Sequence, residues 1–253
     1  MSEEMDNLIQ VNSLKGLTIQ QRAWAAMHQD YSHNYVWKEI QEGKLPDDSK
    51  CGEILEKHLL KGNRGHFGPL EQLGITVACG YMPHSLMQQL RTHRISVTFD
   101  VQSFRYTSKG LLEVAEKSYD SPCLDLIEKV VYLRPVGNYT DRQGHKYFYS
   151  EDERYEDLIE SERQLQRYKR KIDNGFSEEH ARGQLPFDIR QHFVLSFNNL
   201  RSLWHMLDMR WKADAQLEAQ WFCDLLWEAT KDEAPEMSKW YEENRMKKAK
   251  LAP

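Results

Sequence analysis

The chain has 253 residues, 40% hydrophobic and 29% charged, a balance that supports a folded globular protein and excludes a disordered one. Its formal net charge of -5 weighs against a general nucleic-acid binder, which carries a broad basic surface, and leaves room only for a local basic pocket. No stretch approaches ~20 apolar residues and the acidic Met1 to Asn7 segment leads into no apolar run, so neither a membrane span nor a secretory signal is expected.

In chain order, Thr18 to Gln29 reads as a helix, and Asp48 to Lys61 as a second with Ile54, Leu55, His58 and Leu59 at helical spacing. Gly62-Asn63-Arg64-Gly65 breaks it and opens a loop carrying His66 and Glu71. Gly74 to Tyr81 alternates as a strand, and Pro83 opens a short helix to about Thr92, where its missing N–H costs nothing. Val130 to Leu133 and Lys146 to Tyr149 read as two strands joined by the turn Asp141-Arg142-Gln143-Gly144. Glu151 to Ile172 is a long polar helix ended by Asn174-Gly175, and Ser177 with Glu178 and Glu179 starts another. Phe187 to Arg210 reads as one strongly apolar helix and Asp214 to Thr230 as a further one, with a charged tail from 234 to 253 that frays.

There is no βαβ rhythm, no GxGxxG and no GxxxxGK[ST], so a Rossmann fold is not expected. The expectation is a single domain of the α/β (α+β) class over 1–253, its core about 50–230, with a mainly antiparallel sheet flanked by helices. The four cysteines, Cys51, Cys79, Cys123 and Cys223, form no CxxC pair, which points to a reduced, cytoplasmic setting and no metal.

The densest chemistry lies in Gln88-Gln89-Leu90-Arg91-Thr92-His93-Arg94, followed by Ser103-Phe104-Arg105-Tyr106. Arginine clusters are often solvated surface; the other reading is that Arg94 and Arg105 clamp anionic oxygens while Ser103 donates its hydroxyl. Ser103 as a nucleophile is the weaker idea, because no G-x-S-x-G elbow surrounds it. Asn198, Arg201, His205 and Asp208 make a polar stripe along an apolar helix, either a surface stripe or a ligand contact. Arg210 at that helix's end is explained by the helix dipole alone. His66 and Glu71 are weak metal ligands, and a polar lid accounts for them as well. The seven tryptophans read as core and subunit interface.

These residues resemble the flavin-dependent thymidylate synthases (ThyX). The family is marked by Arg-His-Arg, seven residues, then Ser-x-Arg-Tyr; here Arg91-Thr92-His93-Arg94 is followed by eight residues and Ser103-Phe104-Arg105-Tyr106. Asn199-Leu200-Arg201-Ser202-Leu203 through His205 to Arg210, then Asp214-Ala215-Gln216-Leu217-Glu218, is similar to a second family segment. Ala181-Arg182-x-x-Leu185-Pro186 and His66-x-x-Pro69-Leu70-Glu71 are a third and a fourth, and all four stand in the family's order over about residues 62–220. Two departures stand out: Thr92 interrupts Arg-His-Arg, and the spacer is one residue longer, with Asp100 the acidic residue available where the family often has Asn-Glu.

The resemblance implies that His66, Glu71, Arg91, His93, Arg94, Ile95, Asn199, Arg201 and His205 line an FAD site. It implies that Gln88, Ser103, Arg105, Arg182 and Arg210 hold dUMP, with Arg210 the catalytic residue favouring the N3-ionised uracil. The implied reaction is dUMP to dTMP, with methylenetetrahydrofolate as one-carbon donor and NADPH as reductant through FAD, in a homotetramer. The alternatives are a nucleotide- or flavin-binding protein without turnover, and a single-stranded RNA-binding module, against which the acidic balance counts.

Overall fold

The computed structural model describes residues 12–32, 34–61, 67–72, 74–120, 124–141 and 143–248. Its helices and strands in chain order are α1 (Ile19–Tyr31), α2 (Val36–Gln41), α3 (Asp48–Leu55), β1 (Ile75–Pro83), α4 (His84–Leu90), β2 (Val97–Val101), α5 (Lys109–Asp120), α6 (Leu124–Val130), β3 (Gly137–Thr140), β4 (Lys146–Tyr149), α7 (Glu151–Asp173), α8 (Glu178–Ala181), β5 (Arg190–Phe197), α9 (Leu200–Arg210), α10 (Leu217–Thr230) and α11 (Pro235–Asn244). Two compact units emerge: the described residues within Met1–Thr76, Ile95–Val97 and Ser196–Pro253 form one, and those within Val77–Arg94 and Thr98–Leu195 the other. No helix among the described residues is long and apolar enough to cross a membrane.

The first unit is helical. Thr18 and Gln21 cap α1 reciprocally, each side chain meeting the other residue's backbone N–H, so the orphan donors of the first turn are satisfied. Asp47 caps α3 through Lys50 N–H at 2.8 Å, and α3 runs on as a π turn, Glu56–Leu60. Gln20, fully buried, donates to the Asp48 carbonyl at 3.0 Å and to Glu236 Oε2 at 2.7 Å, tying α1 to α3 and α11. The described residues after Glu233 do not fray as expected: α11 buries Met237, Trp240 and Tyr241, while 249–253 lie outside the described residues. Their apolar spacing holds a helix down inside a charged sequence, and Pro235 starts it. Trp204 packs on Trp240 and Tyr241 at centroid distances of 5.8 and 5.2 Å, and Trp227 on Tyr241 at 5.2 Å, so these tryptophans are core.

The second unit carries nearly all of the sheet. Its strand order is β1-β5-β2. Gln102 N–H donates to the His192 carbonyl and Asn198 N–H to Ser96, while His84 N–H donates to Ile189 and Thr76 meets Ser196. Partners therefore rise on one strand as they fall on the next, and both neighbours of β5 run antiparallel to it. A separate hairpin pairs β3 with β4, from Gly137 opposite Tyr149 to Thr140 opposite Lys146. Its turn is held by Asp141 Oδ1, which accepts from the N–H groups of Gln143 and His145 at 2.8 Å each; Arg142 lies outside the described residues. Helix α7 starts on a Ser150–Glu153 capping box and ends at Asn174, with Gly175 at φ +80°. Leu158, Leu165 and Tyr168 on α7 join Leu111, Ala115 and Ile127 in this unit's core.

Two expectations are corrected here. Phe187 to Arg210 is not one helix: Arg190–Phe197 is strand β5, and a helix begins only after Asn199. Gln191, Phe193, Leu195 and Phe197 are buried in strict alternation, the period of a strand. Val130 to Leu133 is not a strand: Val130 ends α6 and Val131 makes one isolated bridge to Ile189. Pro135, just beyond, has no N–H to continue a ladder, and the partner of β4 is the next extended stretch, β3.

Candidate active site

In the sheet unit, α4 places the first group of expected residues. Arg91 is its C-terminal cap residue, and the Thr92 hydroxyl donates to the Gln89 carbonyl at 2.7 Å. The residue that interrupts Arg-His-Arg is thus absorbed in the turn closing α4. Arg91 and Arg94 are exposed, whereas His93 is turned inward at 8% exposure. The longer spacer becomes β2, where Phe99 packs toward Phe193 at 6.2 Å and Asp100 points to the exposed side. Ser103 then closes a turn, its carbonyl accepting from Tyr106 N–H at 3.0 Å and Thr107 N–H at 3.1 Å.

Arg91, Ser103 and Arg182 line one open pocket of about 620 Å³. They reach it from the end of α4, the turn after β2 and a 3-10 turn at Arg182–Gln184. Phe99, Phe187 and Met87 supply its apolar wall, and His84, Gln102 and Gln191 its neutral polar groups. Two guanidiniums, a hydroxyl and an aromatic wall suit an anionic ligand with a planar part. Arg105 does not line this pocket. Its Nε donates to Glu179 Oε1 at 2.9 Å, and its guanidinium lies 5.5 Å over the Tyr106 ring. Gln88 reaches the pocket's edge through His84, to which its amide nitrogen comes within 2.8 Å.

The helical unit holds a second group. Arg201 Nη1 donates to Glu71 Oε1 at 2.9 Å, and the same guanidinium lies 5.9 Å from the Phe67 ring centroid. Asn199 is the N-cap of α9, its Oδ1 accepting from Ser202 N–H at 2.7 Å, so its placement is a folding requirement first. His205 is exposed one turn beyond Arg201, and Arg210 ends the helix half-buried. Burial lowers the Arg210 pKa from its usual value, against a smaller opposing effect of Cys223. Arginine stays cationic through such a shift. Ile95 is 88% exposed. His66 lies outside the described residues.

The expected polar stripe divides. Asn198 precedes α9 and donates its backbone N–H to Ser96 at 2.8 Å. Asp208 faces the core, where it accepts from Tyr241 and Arg245. Burial dominates and pushes its carboxyl above the ordinary range, with the Arg245 and Tyr241 bonds opposing. Only Arg201 and His205 remain on the accessible side. His84, Gln102, Phe187 and Gln191 were not anticipated as pocket residues. The two-residue alternation from Arg190 to Phe197 was the available signal for Gln191. Among the described residues no group of three or more His, Cys, Asp or Glu side chains is arranged to hold a metal.

A cationic, aromatic-walled pocket beside an antiparallel sheet defines the class: a mixed α+β protein with a pocket suited to a small anionic ligand. Comparison with known proteins narrows this. The family model described as thymidylate synthase complementing protein matches residues 14–236. A flavin-dependent thymidylate synthase of Haloarcula marismortui is 32% identical over 244 residues, covering 90% of this chain and 93% of the relative. The same enzyme of Halobacterium salinarum is 31% identical over 217 residues, 81% of each chain. Among solved structures, thymidylate synthase X of Helicobacter pylori with FAD and dUMP superposes at TM-score 0.64 with 19% identity, over 88% of this chain and 93% of that one. The UMP/dUMP methylase PolB of Streptomyces cacaoi, bound with 5-Br dUMP, superposes at 0.65 with 17% identity, over 94% of each. The chain belongs to the flavin-dependent thymidylate synthase family, flavoenzymes of the methyltransferase type.

Proposed function

We propose that this protein methylates dUMP to dTMP, taking the one-carbon unit from methylenetetrahydrofolate and reducing equivalents from NADPH through FAD, as a cytoplasmic homotetramer. The observation that carries the reading is the convergence of Arg91, Ser103 and Arg182 on one pocket in a chain of this family. The family match spans residues 14–236 and supports reading the chain as one functional domain.

In this reading Arg182 and Ser103 meet the nucleotide phosphate, a guanidinium fork and a hydroxyl donor suited to its oxygens. Arg105 lies outside the pocket lining and is paired through its Nε with Glu179, so a contact of its Nη groups with the phosphate would need its exposed side chain to turn toward the pocket. Gln88 contacts the nucleotide beside them. Arg210 stabilises negative charge on the uracil ring at N3, and a half-buried cation does so more strongly than one in water.

Two exposed residues suit FAD. Ile95, 88% exposed beside the exposed Arg94, offers an apolar surface that a planar ring would cover and a cation that a pyrophosphate would meet. His66, Glu71, Arg91, His93, Asn199, Arg201 and His205 complete the set assigned to FAD. When bound, FAD supplies the hydride chemistry.

The test is an anaerobic spectrum with NADPH, followed by a dTMP assay with dUMP and methylenetetrahydrofolate. UMP is run in parallel, since one solved neighbour is a UMP/dUMP methylase. Bleaching of a bound-flavin band and formation of dTMP are expected. Flavin that reduces with no methylated product from either nucleotide would leave a binding protein without turnover.

A further inference from the structure

His84 stands between two carboxamides at the pocket. Its Nδ1 lies 2.7 Å from Gln191 Oε1, and its Nε2 lies 2.8 Å from Gln88 Nε2. A carboxamide oxygen only accepts, so Nδ1 carries the proton. The neutral ring then has a lone pair at Nε2, and the Gln88 NH₂ donates to it. Gln191 is 4% exposed and sits on β5, so this end of the relay is anchored in the sheet. Gln88 is exposed, one turn along α4 from His84, so the other end is free to meet a ligand.

The consequence falls on Gln88. With its NH₂ committed to His84, its carbonyl oxygen is the group left to face outward. We propose that His84 is a positioning residue which fixes Gln88 as a hydrogen-bond acceptor toward an N–H or O–H donor of the bound nucleotide. This rests on the dUMP reading above. A doubly protonated His84 would present N–H at Nε2 and require Gln88 to turn its oxygen inward, which converts the outward group to a donor. An imide N–H and a sugar hydroxyl are the two donors that dUMP offers.

The charged groups of the surrounding elements are few. Asp188 Oδ1 accepts from Ser85 N–H at 2.9 Å, next along the chain from His84. Arg91 and Arg182 line the same pocket, and Arg190 flanks Gln191 on β5 with its Nη1 donating to the Tyr81 carbonyl at 3.1 Å. His192, on the other side of Gln191, accepts from Tyr81 N–H through its own Nδ1 at 3.1 Å. Phe187 meets the His84 ring edge-on at 5.6 Å and carries no charge.

The experiment compares wild type, His84→Leu and Gln191→Leu by dUMP affinity, KM and kcat at a single pH where the nucleotide phosphate is fully ionised. His84→Leu is expected to raise the dUMP KM about tenfold, the loss of one oriented hydrogen bond, with little change in kcat or in NADPH-driven flavin bleaching. Gln191→Leu, which keeps the ring but removes its anchor, should also raise KM, again with little change in kcat. N3-methyl-dUMP and 3′-deoxy-dUMP distinguish the donors: the analogue lacking the relevant one should bind wild type and His84→Leu alike. Unchanged dUMP affinity in both variants, or a loss in His84→Leu that persists undiminished with both analogues, would overturn the inference. Failure of wild type to bind dUMP at all would instead overturn the functional reading.

Discussion

The Tyr241 hydroxyl donates to the buried carboxylate of Asp208 at 2.8 Å, linking α11 to α9 inside a cluster of tryptophans. Arg245 Nη2 donates to the other carboxylate oxygen at 2.7 Å. The pair explains how a charged C-terminal stretch is held down. It also fixes α9, the helix that presents Arg201, His205 and Arg210.

Breaking this arrangement from the carboxylate side should be costly, because two donors lose their acceptor in a dry site. Asp208→Ala is expected to destabilise by about 3–5 kcal/mol, as when one partner of a buried ion pair is removed. Asp208→Asn keeps an acceptor for Tyr241 and should cost only ~1–2 kcal/mol. Urea denaturation midpoints of the two variants check the order; equal losses would refute it.

Gly52 is the close approach in the helical unit. A Cβ there would come 2.5 Å from Gln20 Oε1 and 2.8 Å from Glu236 Cβ. Gln20 is buried and engaged on both α3 and α11, so it has little room to give. Gly52→Ala should therefore destabilise by roughly 1–3 kcal/mol through overpacking, despite alanine's better helix propensity. A thermal melt at or above the wild-type midpoint would contradict this.

Acid stability should depend on Glu39. Hydrogen bonds from His28 Nε2 at 2.7 Å and Asn34 Nδ2 at 3.1 Å hold its carboxyl below the usual glutamate pKa. A depressed folded-state pKa stabilises the protein above the unfolded value, ~4.3, and the contribution disappears as pH falls through the folded value. Glu39→Gln should thus flatten the stability profile below about pH 4.5, in unfolding curves taken from pH 3 to 6.

The two arginines given different roles should separate kinetically. Arg182→Ala is expected to raise the dUMP KM roughly 10- to 100-fold, the worth of a charge-assisted hydrogen bond, with flavin content unchanged. Arg210→Ala should abolish dTMP formation while flavin stays bound. Turnover surviving in Arg210→Ala would remove that residue from the chemistry.

Much of the candidate site is legible because its motifs are contiguous. Arg91 to Tyr106, Arg182 and Asn199 to Arg210 could be named from residue type and order, and the Thr92 insertion was visible even though its accommodation in a turn was not. The merged reading of Phe187 to Arg210 fails because Ile189, Phe193, Phe197, Leu200, Trp204 and Leu207 recur at three- and four-residue spacing straight across the boundary, which imitates one helical face. Asn199, an N-cap residue in its middle, was the mark of the boundary. The α11 helix is hidden in the sequence because the charge of the tail masks the helical spacing of Met237, Trp240 and Tyr241.

Short-range chemistry made the helix starts readable from residues alone: Thr18 with Gln21 and Ser150 with Glu153 close their caps within four positions. The pocket is a different matter. Arg91, Ser103 and Arg182 meet only because β2 and β1 both pair with β5, and His84 finds Gln191 across 107 positions of chain. Pairing over such separations is set by which strand faces can be buried together, a balance struck over the whole sheet, and no local run of residues encodes it.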